Sequence, residues 1–161
     1  MVRKVTLDDA DQIAGIYNYY IENTTITFET KALTAEEMRL RIADISAHNP
    51  YFVDENERGK IIGYCYFHQW KEREAYRHSV ETSVYVDPGY HHLGTGRRLM
   101  HKLIDACKGT DVHCMIACIT KPNEASVSLH EELGFKQVSL YKEVGKKFGE
   151  WLDVYDFELI L

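Results

Sequence analysis

The chain has 161 residues, of which 45% are hydrophobic, and its formal net charge at pH 7 is −6. The length and composition predict one compact domain over 1–161, and the acidic balance argues against a nucleic-acid-binding protein, which needs basic charge to neutralise phosphates. No apolar run is long enough for a membrane span and no secretory signal is visible, so we expect a cytoplasmic protein without a membrane partner.

The first half of the chain carries two helix patterns and several short strand patterns. Residues 2–7 predict a strand, and the next stretch has an apolar stripe at helical spacing, formed by Ile13, Ile16, Tyr17, Tyr20 and Ile21. A loop or extended segment follows at 23–30. Thr34 and Glu37 have the spacing of a capping box and predict a second helix through Ile45. Strands are predicted at 51–53 and 60–67, joined by a turn at 56–59.

In the second half, a charged loop at 70–76 leads into a strand at 77–86. The alternation of a strand places Thr82 and Val84 on one face and Glu81, Ser83 and Tyr85 on the other. After a glycine loop comes a helix with a buried stripe of Leu99, Met100, Leu103, Ile104 and Cys107.

Four more elements complete the chain. These are a strand at 112–119, a short helix from Asn123 to Leu133 that Gly134 ends, and two adjacent antiparallel strands at 135–143 and 151–161. The sequence therefore predicts an α/β (α+β) fold with a mixed, mostly antiparallel central sheet of about seven strands and helices on both faces.

The four cysteines all lie in apolar, strand-like or helix-like segments: Cys65, Cys107, Cys114 and Cys118. Their spacing does not resemble a zinc site. We interpret them as reduced core cysteines, and we expect no metal.

The glycine loop between the strand and the basic helix is a candidate anion site. A helix N-terminus carries unpaired N–H donors and the positive end of the helix dipole, and Gly94 and Gly96 leave that backbone uncovered. Arg97, Arg98 and Lys102 place positive charge where the dipole disfavours it, and a bound anion would offset this cost. A ligand-free glycine turn before an amphipathic helix is the alternative.

Two side chains near this loop are candidates for proton transfer. Glu81 is either a solvated charge at the edge of the sheet or a buried base, depending on whether its strand is central. His130 follows Ser126 by one helical turn, and a single helical histidine is more often a packed or surface residue than a catalyst.

Several separated motifs resemble one family. Gly94-x-Gly96 after the Val84-Tyr85-Val86 strand resembles motif A of the GNAT superfamily of acetyl-CoA-dependent N-acetyltransferases. Four further runs look like the phosphinothricin and methionine sulfoximine acetyltransferases: Trp70-Lys71-x-Arg73-x-Ala75-Tyr76-Arg77-His78-x-Val80-Glu81, Pro122-Asn123, Ser128-Leu129-His130-Glu131-x-Leu133-Gly134-Phe135 and Gly149-x-Trp151-x-Asp153-Val154. The chain departs from the superfamily at His91, where Gln or Arg is usual, and at His130, which many members replace by tyrosine but the phosphinothricin branch shares.

The resemblance implies a single GNAT-like domain that transfers an acetyl group from acetyl-CoA to the α-amine of a small amino-acid analogue such as phosphinothricin, methionine sulfoximine or methionine sulfone. It implies Glu81 as general base, directly or through a water, and His130 as a second proton-handling group. The cofactor-binding residues that it implies are Val84, Tyr85, Val86, His92, Leu93, Gly94, Thr95, Gly96, Arg97 and Asn123. The substrate-binding residues that it implies are Phe28, Glu29, Lys71, Glu72, Arg73, Thr82 and Ser83. It also favours a homodimer.

Three other functions stay open at this point. The first is an acetyltransferase of the same fold for another amine, such as an ordinary amino acid, a polyamine or a protein N-terminus. The second is a non-catalytic module that binds coenzyme A, and the third is an interaction domain whose glycine turn binds nothing.

Overall fold

The computed structural model describes all 161 residues. Its seven strands are β1 (Val2–Lys4), β2 (Tyr51–Glu55), β3 (Ile61–Gln69), β4 (Ser79–Val86), β5 (Cys114–Thr120), β6 (Lys136–Lys147) and β7 (Glu150–Ile160). Its four α-helices are α1 (Ala10–Asn23), α2 (Ala35–Ser46), α3 (Thr95–Cys107) and α4 (Glu124–Glu132). The predicted number and order of elements are confirmed.

The seven strands form one sheet in the order β1-β2-β3-β4-β5-β7-β6. Neighbouring strands run antiparallel in the pairs β1–β2, β2–β3, β5–β7 and β6–β7, whereas β4 and β5 run parallel. The sheet is therefore mixed and mostly antiparallel, as predicted. β4 has a strand on each side and is central, so Glu81 is not at an edge of the sheet.

The chain divides into two compact units, each made of three segments. The first unit comprises 1–18, 33–68 and 83–110, and the second comprises 19–32, 69–82 and 111–161. β4 contributes its first half to the second unit and its second half to the first unit. The prediction of a single domain over 1–161 stays a prediction.

In the first unit, helices cover both faces of β2. Asp54 bonds with Arg98 of α3, and the Lys102 ammonium of α3 lies 5.8 Å from the centre of the Phe52 ring. Tyr51 points to the other face, where burial raises the pKa of its phenol and Arg41 of α2 is among the charges that act on it. Alternate residues of one strand thus face α3 and α2, which explains why both faces of β2 are buried.

The second unit contains a long β-hairpin built from β6 and β7. Phe148 and Gly149 connect the strands, and both have positive φ, at 51° and 78°. Positive φ at two consecutive turn residues is the geometry of a type I′ hairpin, whose twist matches that of the flanking strands. β6 therefore runs to Lys147, beyond the predicted end at residue 143. The prediction ended the strand too early because Phe-Gly is a less familiar turn sequence than Asn-Gly.

Three of the four cysteines are in the core, as predicted, and one is not. Cys65, Cys107 and Cys114 are buried, but Cys118 is exposed. In β5 only Cys118 breaks the run of buried residues. The expectation of a core position for Cys118 is therefore wrong, because apolar neighbours along a strand do not decide which residue of it stays uncovered.

No helix of the protein combines the length and the apolarity that crossing a membrane requires.

Candidate functional site

The connection from β4 to α3 is held in shape by side chains at its start. Asp87 accepts a hydrogen bond from the Gly89 amide at 2.9 Å and pairs with Lys60 at 2.8 Å, which raises the pKa of that lysine. The Asp87 amide donates to the carbonyl of Ile62 in β3 at 2.9 Å. The loop consequently leaves the sheet at a fixed point.

Gly94 is the N-cap residue of α3. Its φ is +74°, in the left-handed region that favours glycine, and no side chain caps the helix there. The first turn of an α-helix has N–H groups without intrahelical acceptors, and these together with the helix dipole attract anions. This geometry agrees with the predicted anion site, and His92, also at positive φ (62°), precedes it in the same loop.

Gly63 in β3 makes room for this helix start, and sequence reasoning missed it. A Cβ built on Gly63 would lie 2.9 Å from Thr95 Cγ2, 3.0 Å from the Tyr85 carbonyl oxygen and 3.1 Å from Leu99 Cδ1. Any larger residue would displace α3 or β4. A glycine inside an otherwise β-branched and aromatic strand was the available signal, since such a glycine often marks close approach of another backbone.

The residues predicted to hold the cofactor arm, Val84 to Val86, lie in the last part of β4. The parallel register of β4 with β5 covers Ser79, Val80 and Glu81. The three predicted residues lie beyond this register, and their contact with the cofactor stays a prediction. The Tyr85 ring packs edge-on against Tyr17 at 5.1 Å and stacks on Tyr64 at 5.5 Å, so its side chain supports the strand.

The electrostatics around the start of α3 differ from the prediction. The charge of Arg98 is already paired within the protein, because its guanidinium bonds with the buried carboxylate of Asp54 at 2.7 Å. Lys102 lies over the Phe52 ring. The sequence argument counts Arg98 among the cations whose cost a bound anion would offset, whereas in the structure Asp54 already pairs with it. This pairing was not visible in the sequence because the two residues are 44 positions apart.

Glu81 is half-buried and lies opposite Ile116 of β5. It acts on the Cys118 thiol: desolvation raises the pKa of this thiol, and the carboxylates of Glu81 and Asp156 raise it further. Because Cys118 is exposed, we attribute the raised pKa of its thiol mainly to the two carboxylates. A thiol that keeps its proton at neutral pH is a poor nucleophile, so the surroundings of Cys118 do not activate it.

His130 of α4 is buried, with 2% of its surface exposed, and its ring lies edge-on to Phe135 at 5.0 Å. Nδ1 is 2.7 Å from the carbonyl oxygen of Ser126. Since a carbonyl oxygen only accepts, Nδ1 carries the hydrogen, and Nε2 of the neutral ring is left with a lone pair. Nε2 is a buried polar atom without a hydrogen-bond partner, and burial lowers the pKa of the imidazole.

Asn123 is the N-cap of α4, as predicted. Its Oδ1 accepts a hydrogen bond from the Ser126 amide at 3.2 Å. The predicted contact of Asn123 with the cofactor stays a prediction.

The charged loop that contains Lys71, Glu72 and Arg73 is exposed. The Lys71 ammonium lies 4.1 Å from the Trp70 ring centre and 5.5 Å from that of Tyr76, and these two rings meet edge-on at 5.3 Å. Cation–π contacts of this kind fix the lysine on its own loop.

The two strand residues predicted to bind substrate differ in burial. Thr82 is buried and its hydroxyl donates to the Ile116 carbonyl at 3.3 Å, on the face opposite Glu81. The Thr82 hydroxyl is thus bonded within the sheet, and its substrate assignment stays a prediction. Ser83 is half-buried, on the face that Glu81 shares.

Phe28 and Glu29, predicted to line the mouth of the substrate site, belong to a segment fixed by β6. The buried Lys147 donates to the Thr27 carbonyl at 2.8 Å, and burial lowers the pKa of this lysine. The Phe28 ring lies so close to Gly145 that a Cβ there would overlap it. Sequence reasoning missed Gly145 and Lys147, since the partner segment is about 120 residues away.

Comparison with known proteins identifies the family. Residues 2–155 match the model of a family described as an acetyltransferase (GNAT) domain. The chain belongs to the GNAT acetyltransferase family. It is an N-acetyltransferase, and the resemblance drawn from its motifs is confirmed.

Three curated relatives match this GNAT protein over nearly its full length. Phosphinothricin N-acetyltransferase of Streptomyces coelicolor is 39% identical, with 98% of this chain and 94% of the relative covered. L-amino acid N-acyltransferase MnaT of Escherichia coli is 38% identical, with coverage of 95% and 89%. L-methionine sulfoximine/L-methionine sulfone acetyltransferase of Salmonella typhimurium is 35% identical, with coverage of 95% and 90%.

Solved structures of the same fold are also close. A ribosomal-protein-alanine N-acetyltransferase of Brucella melitensis superposes with a TM-score of 0.97 at 34% identity, covering 100% of this chain and 99% of its own. A phosphinothricin acetyltransferase of Sinorhizobium meliloti in complex with acetyl-CoA superposes with a TM-score of 0.96 at 34% identity, covering 100% and 88%.

Proposed function

We propose that this GNAT protein transfers the acetyl group of acetyl-CoA to the α-amine of a small amino-acid analogue such as phosphinothricin, methionine sulfoximine or methionine sulfone. The observation that carries the proposal is the similarity, over nearly the whole chain, to curated enzymes named for these substrates, at 39% and 35% identity.

The residues of the β4–α3 connection fit acetyl-CoA. An α3 whose first turn has no side-chain cap and begins at a glycine of positive φ suits the pyrophosphate, through the backbone of His92, Leu93, Gly94, Thr95, Gly96 and Arg97. Val84, Tyr85 and Val86 suit the pantetheine arm, because they follow the stretch of β4 that is paired with β5. Asn123 at the start of α4 is the remaining cofactor contact.

Glu81 is the general base of the proposed reaction. When bound, acetyl-CoA supplies an acetyl thioester, and the products are the N-acetyl compound and free thiol. An α-amine is largely protonated at neutral pH, so it must lose a proton before it can attack a carbonyl carbon. Glu81 takes this proton, directly or through one water, from its position on the central strand.

His130 has a narrower role than the sequence alone indicated. Its Nδ1–H is committed to the Ser126 carbonyl, so the neutral ring offers only the lone pair of Nε2. A departing thiolate needs a donor, whereas an amine or a relaying water needs an acceptor. We therefore assign His130 to the amine side of the reaction.

The substrate's own charges match the loop at 71–73. Arg73 is exposed at the start of a short 3₁₀ turn, and a planar guanidinium binds a carboxylate, phosphinate or sulfoximine group through two parallel hydrogen bonds. Phe28 and Glu29 are assigned to the mouth of the site.

Ordinary L-amino acids and protein N-termini are the second class of substrate. The E. coli relative, at 38% identity, is named as an L-amino acid N-acyltransferase, and the B. melitensis neighbour as a ribosomal-protein-alanine N-acetyltransferase. A homodimer and a cytoplasmic location complete the proposal, the latter supported by four cysteines without a disulfide.

Thiol release from acetyl-CoA tests the proposal with a panel of amines. The panel contains phosphinothricin, methionine sulfoximine, methionine sulfone, L-methionine, spermidine and an alanine-initiated peptide. We expect the three analogues to have the highest kcat/KM. Release with another amine alone would overturn the substrate assignment, and release with none would overturn the enzymatic proposal.

The Glu81→Gln variant tests the base. Because the fraction of free amine rises with pH, loss of a base should lower kcat/KM most at the acidic end of the pH range. An unchanged pH–rate profile would remove Glu81 from the mechanism. Glu57→Gln, a change in the turn between β2 and β3, is the control and should leave the profile as it is.

A further inference from the structure

Arg98 makes four hydrogen bonds with groups of its own protein. Its Nε and Nη2 donate to Asp54 Oδ2 at 2.9 and 2.7 Å, Nη2 also donates to Thr95 Oγ1 at 3.1 Å, and Nη1 donates to the Leu93 carbonyl oxygen at 2.8 Å. A guanidinium has five N–H groups, so nearly all of its donor capacity is used inside the protein. Arg98 is therefore poorly placed to serve as a direct ligand for an anion.

The Asp54 end of this fork is rigid. Asp54 is 1% exposed, and its backbone lies in β2 between Val2 of β1 and Gly63 of β3. Its other oxygen, Oδ1, is 3.0 Å from the N-terminal ammonium of Met1. A buried carboxylate is costly without charged partners, so the position of Asp54 dictates where the guanidinium lies.

The Nη1 side of the Arg98 guanidinium bonds with the glycine loop. The carbonyl of Leu93 belongs to the same peptide plane as the amide of Gly94, the N-cap of α3. In a trans peptide the C=O and N–H bonds point in opposite directions. By holding the Leu93 carbonyl, Arg98 turns the Gly94 N–H away from the guanidinium, toward the side where an anion would bind.

The Leu93 side chain is 60% exposed and therefore does not anchor the loop by packing. His92 has a φ of 62°, a conformation that a residue with a side chain keeps only when its surroundings enforce it. The bond from Arg98 supplies such an enforcing contact one residue away.

We propose that Arg98 is a positioning residue for the pyrophosphate loop: it ties the Leu93 carbonyl to the buried Asp54 and so presets the amide of Gly94 for the phosphates, without touching them. This role rests on the proposed assignment of the loop to the pyrophosphate of acetyl-CoA. It differs from that assignment in naming the residue, and its anchor in β2, that keep the loop in its binding shape before the ligand arrives.

Arg98→Lys separates positioning from charge. Lysine keeps a positive partner for Asp54, but a single ammonium lacks the planar fork that reaches Asp54 and Leu93 together. Arg39→Lys on the exposed side of α2 is the matched control, since Arg39 pairs only with surface carboxylates. Asp54→Asn removes the anchor from the opposite end.

Hydrogen exchange of the protein saturated with coenzyme A is the first readout, because the amides at the start of α3 have no intrahelical acceptor and gain protection only from a bound anion. We expect the amides of 92–96 to exchange about tenfold faster in Arg98→Lys, which corresponds to loss of one charge-assisted hydrogen bond, while the peptides of β2 keep their protection. Unchanged exchange in the loop would overturn the proposal. Arg39→Lys should exchange like the wild type throughout.

Binding and donor specificity provide the second readout. By calorimetry, coenzyme A should bind about tenfold more weakly to Arg98→Lys than to the wild type. With S-acetyl-pantetheine, which lacks the pyrophosphate, kcat/KM should be the same in both proteins. Equal losses with both donors would mean a general structural defect and would overturn the positioning role.

Two results keep the proposal distinct from the assignments on which it rests. If the wild type transfers no acetyl group to any amine but binds coenzyme A with the predicted dependence on Arg98, the proposed function fails and the positioning role stands. In a cycle with Asp54→Asn, the double variant should lose no more affinity than the worse single variant, because both act through one contact. Additive losses of coenzyme A affinity in the double variant would contradict the positioning role.

Discussion

Replacing His130 by phenylalanine separates the packing of α4 from the chemistry of its imidazole. Phenylalanine keeps an aromatic ring beside Phe135 but removes both nitrogens. In the wild type, Nδ1 bonds with the Ser126 carbonyl at 2.7 Å, whereas Nε2 is buried without a partner. A buried Nε2 without a partner lowers the stability of the free protein, so we expect this nitrogen to bond with a ligand.

The energies of the two nitrogens oppose each other. Loss of the Nδ1 hydrogen bond costs about 0.5–1.5 kcal/mol, and removal of an unsatisfied buried acceptor returns about 1–3 kcal/mol. We therefore expect His130→Phe to be about 1 kcal/mol more stable than the wild type near neutral pH, from the difference of these two ranges. The same substitution, His130→Phe, should lower kcat/KM about 100-fold, which is a usual contribution of a proton-transfer group.

The stability difference should depend on pH. Burial lowers the pKa of His130 below its ordinary value of 6.5, so the unfolded chain takes up a proton at a higher pH than the folded protein does. The contribution of the neutral imidazole is therefore fully present above pH 6.5 and is lost as the pH falls toward the folded-state pKa, by up to about 1.4 kcal/mol per pH unit. The variant lacks this loss, so its advantage grows on acidification.

Urea denaturation between pH 5 and pH 8, together with thiol release at saturating acetyl-CoA, measures both effects. His101→Phe on the exposed side of α3 is the control and should change neither the pH dependence nor the rate. The reasoning is refuted if His130→Phe is less stable than the wild type by 2 kcal/mol or more, or if it keeps full activity.

Two further predictions concern glycines at the site. Gly94→Val should raise the KM for acetyl-CoA at least tenfold, because a β-branched residue at a φ of +74° costs about 1–3 kcal/mol and its Cβ would lie 3.3 Å from Arg98 Nη1; an unchanged KM would remove the loop from cofactor binding. Gly145→Ala should lower stability by about 1–3 kcal/mol and raise the KM for the amine, since the new methyl group overlaps the Phe28 ring. Gly15→Ala in α1, where nothing lies within 4 Å, is the control and should stabilise the protein.

The order of elements was predictable because periodicity and capping are local. Thr34 illustrates this: its hydroxyl accepts from the Glu37 amide at 3.1 Å and the Glu37 carboxylate accepts from the Thr34 amide at 2.8 Å, as the capping box predicts. Such signals span four residues and need no knowledge of the fold. The same holds for Asn123 at the start of α4.

Contacts between distant segments could not be predicted. In the sequence, Asp54 follows the predicted strand at 51–53 and Arg98 is a cation of a helix, and only the packing of α3 on β2 brings the two together. Lys147 was likewise indistinguishable from the neighbouring exposed lysines, although it is buried and bonds with Thr27. Pairing at long range depends on tertiary packing, which alternation along a strand does not encode.

The candidate chemistry was predictable only in part. The strand–glycine–helix pattern indicated an anion site, and the family resemblance supplied Glu81 and His130. The resemblance did not indicate which nitrogen of His130 is protonated, because that is determined by the carbonyl one turn earlier in α4. Thr82 was assigned to the substrate by position in a motif, although its own alternation with Glu81 places it on the opposite face.

The transfer of a labelled acetyl group tests the central claim most directly. The protein is incubated with acetyl-CoA carrying ¹³C in the acetyl group and with methionine sulfoximine, and the products are analysed by NMR and mass spectrometry. The account predicts that the label appears on the α-nitrogen of methionine sulfoximine and that Glu81→Gln slows its appearance. The account would be contradicted if the label stayed in acetyl-CoA or appeared only in free acetate, and if the analogues released thiol no faster than a reaction without an amine.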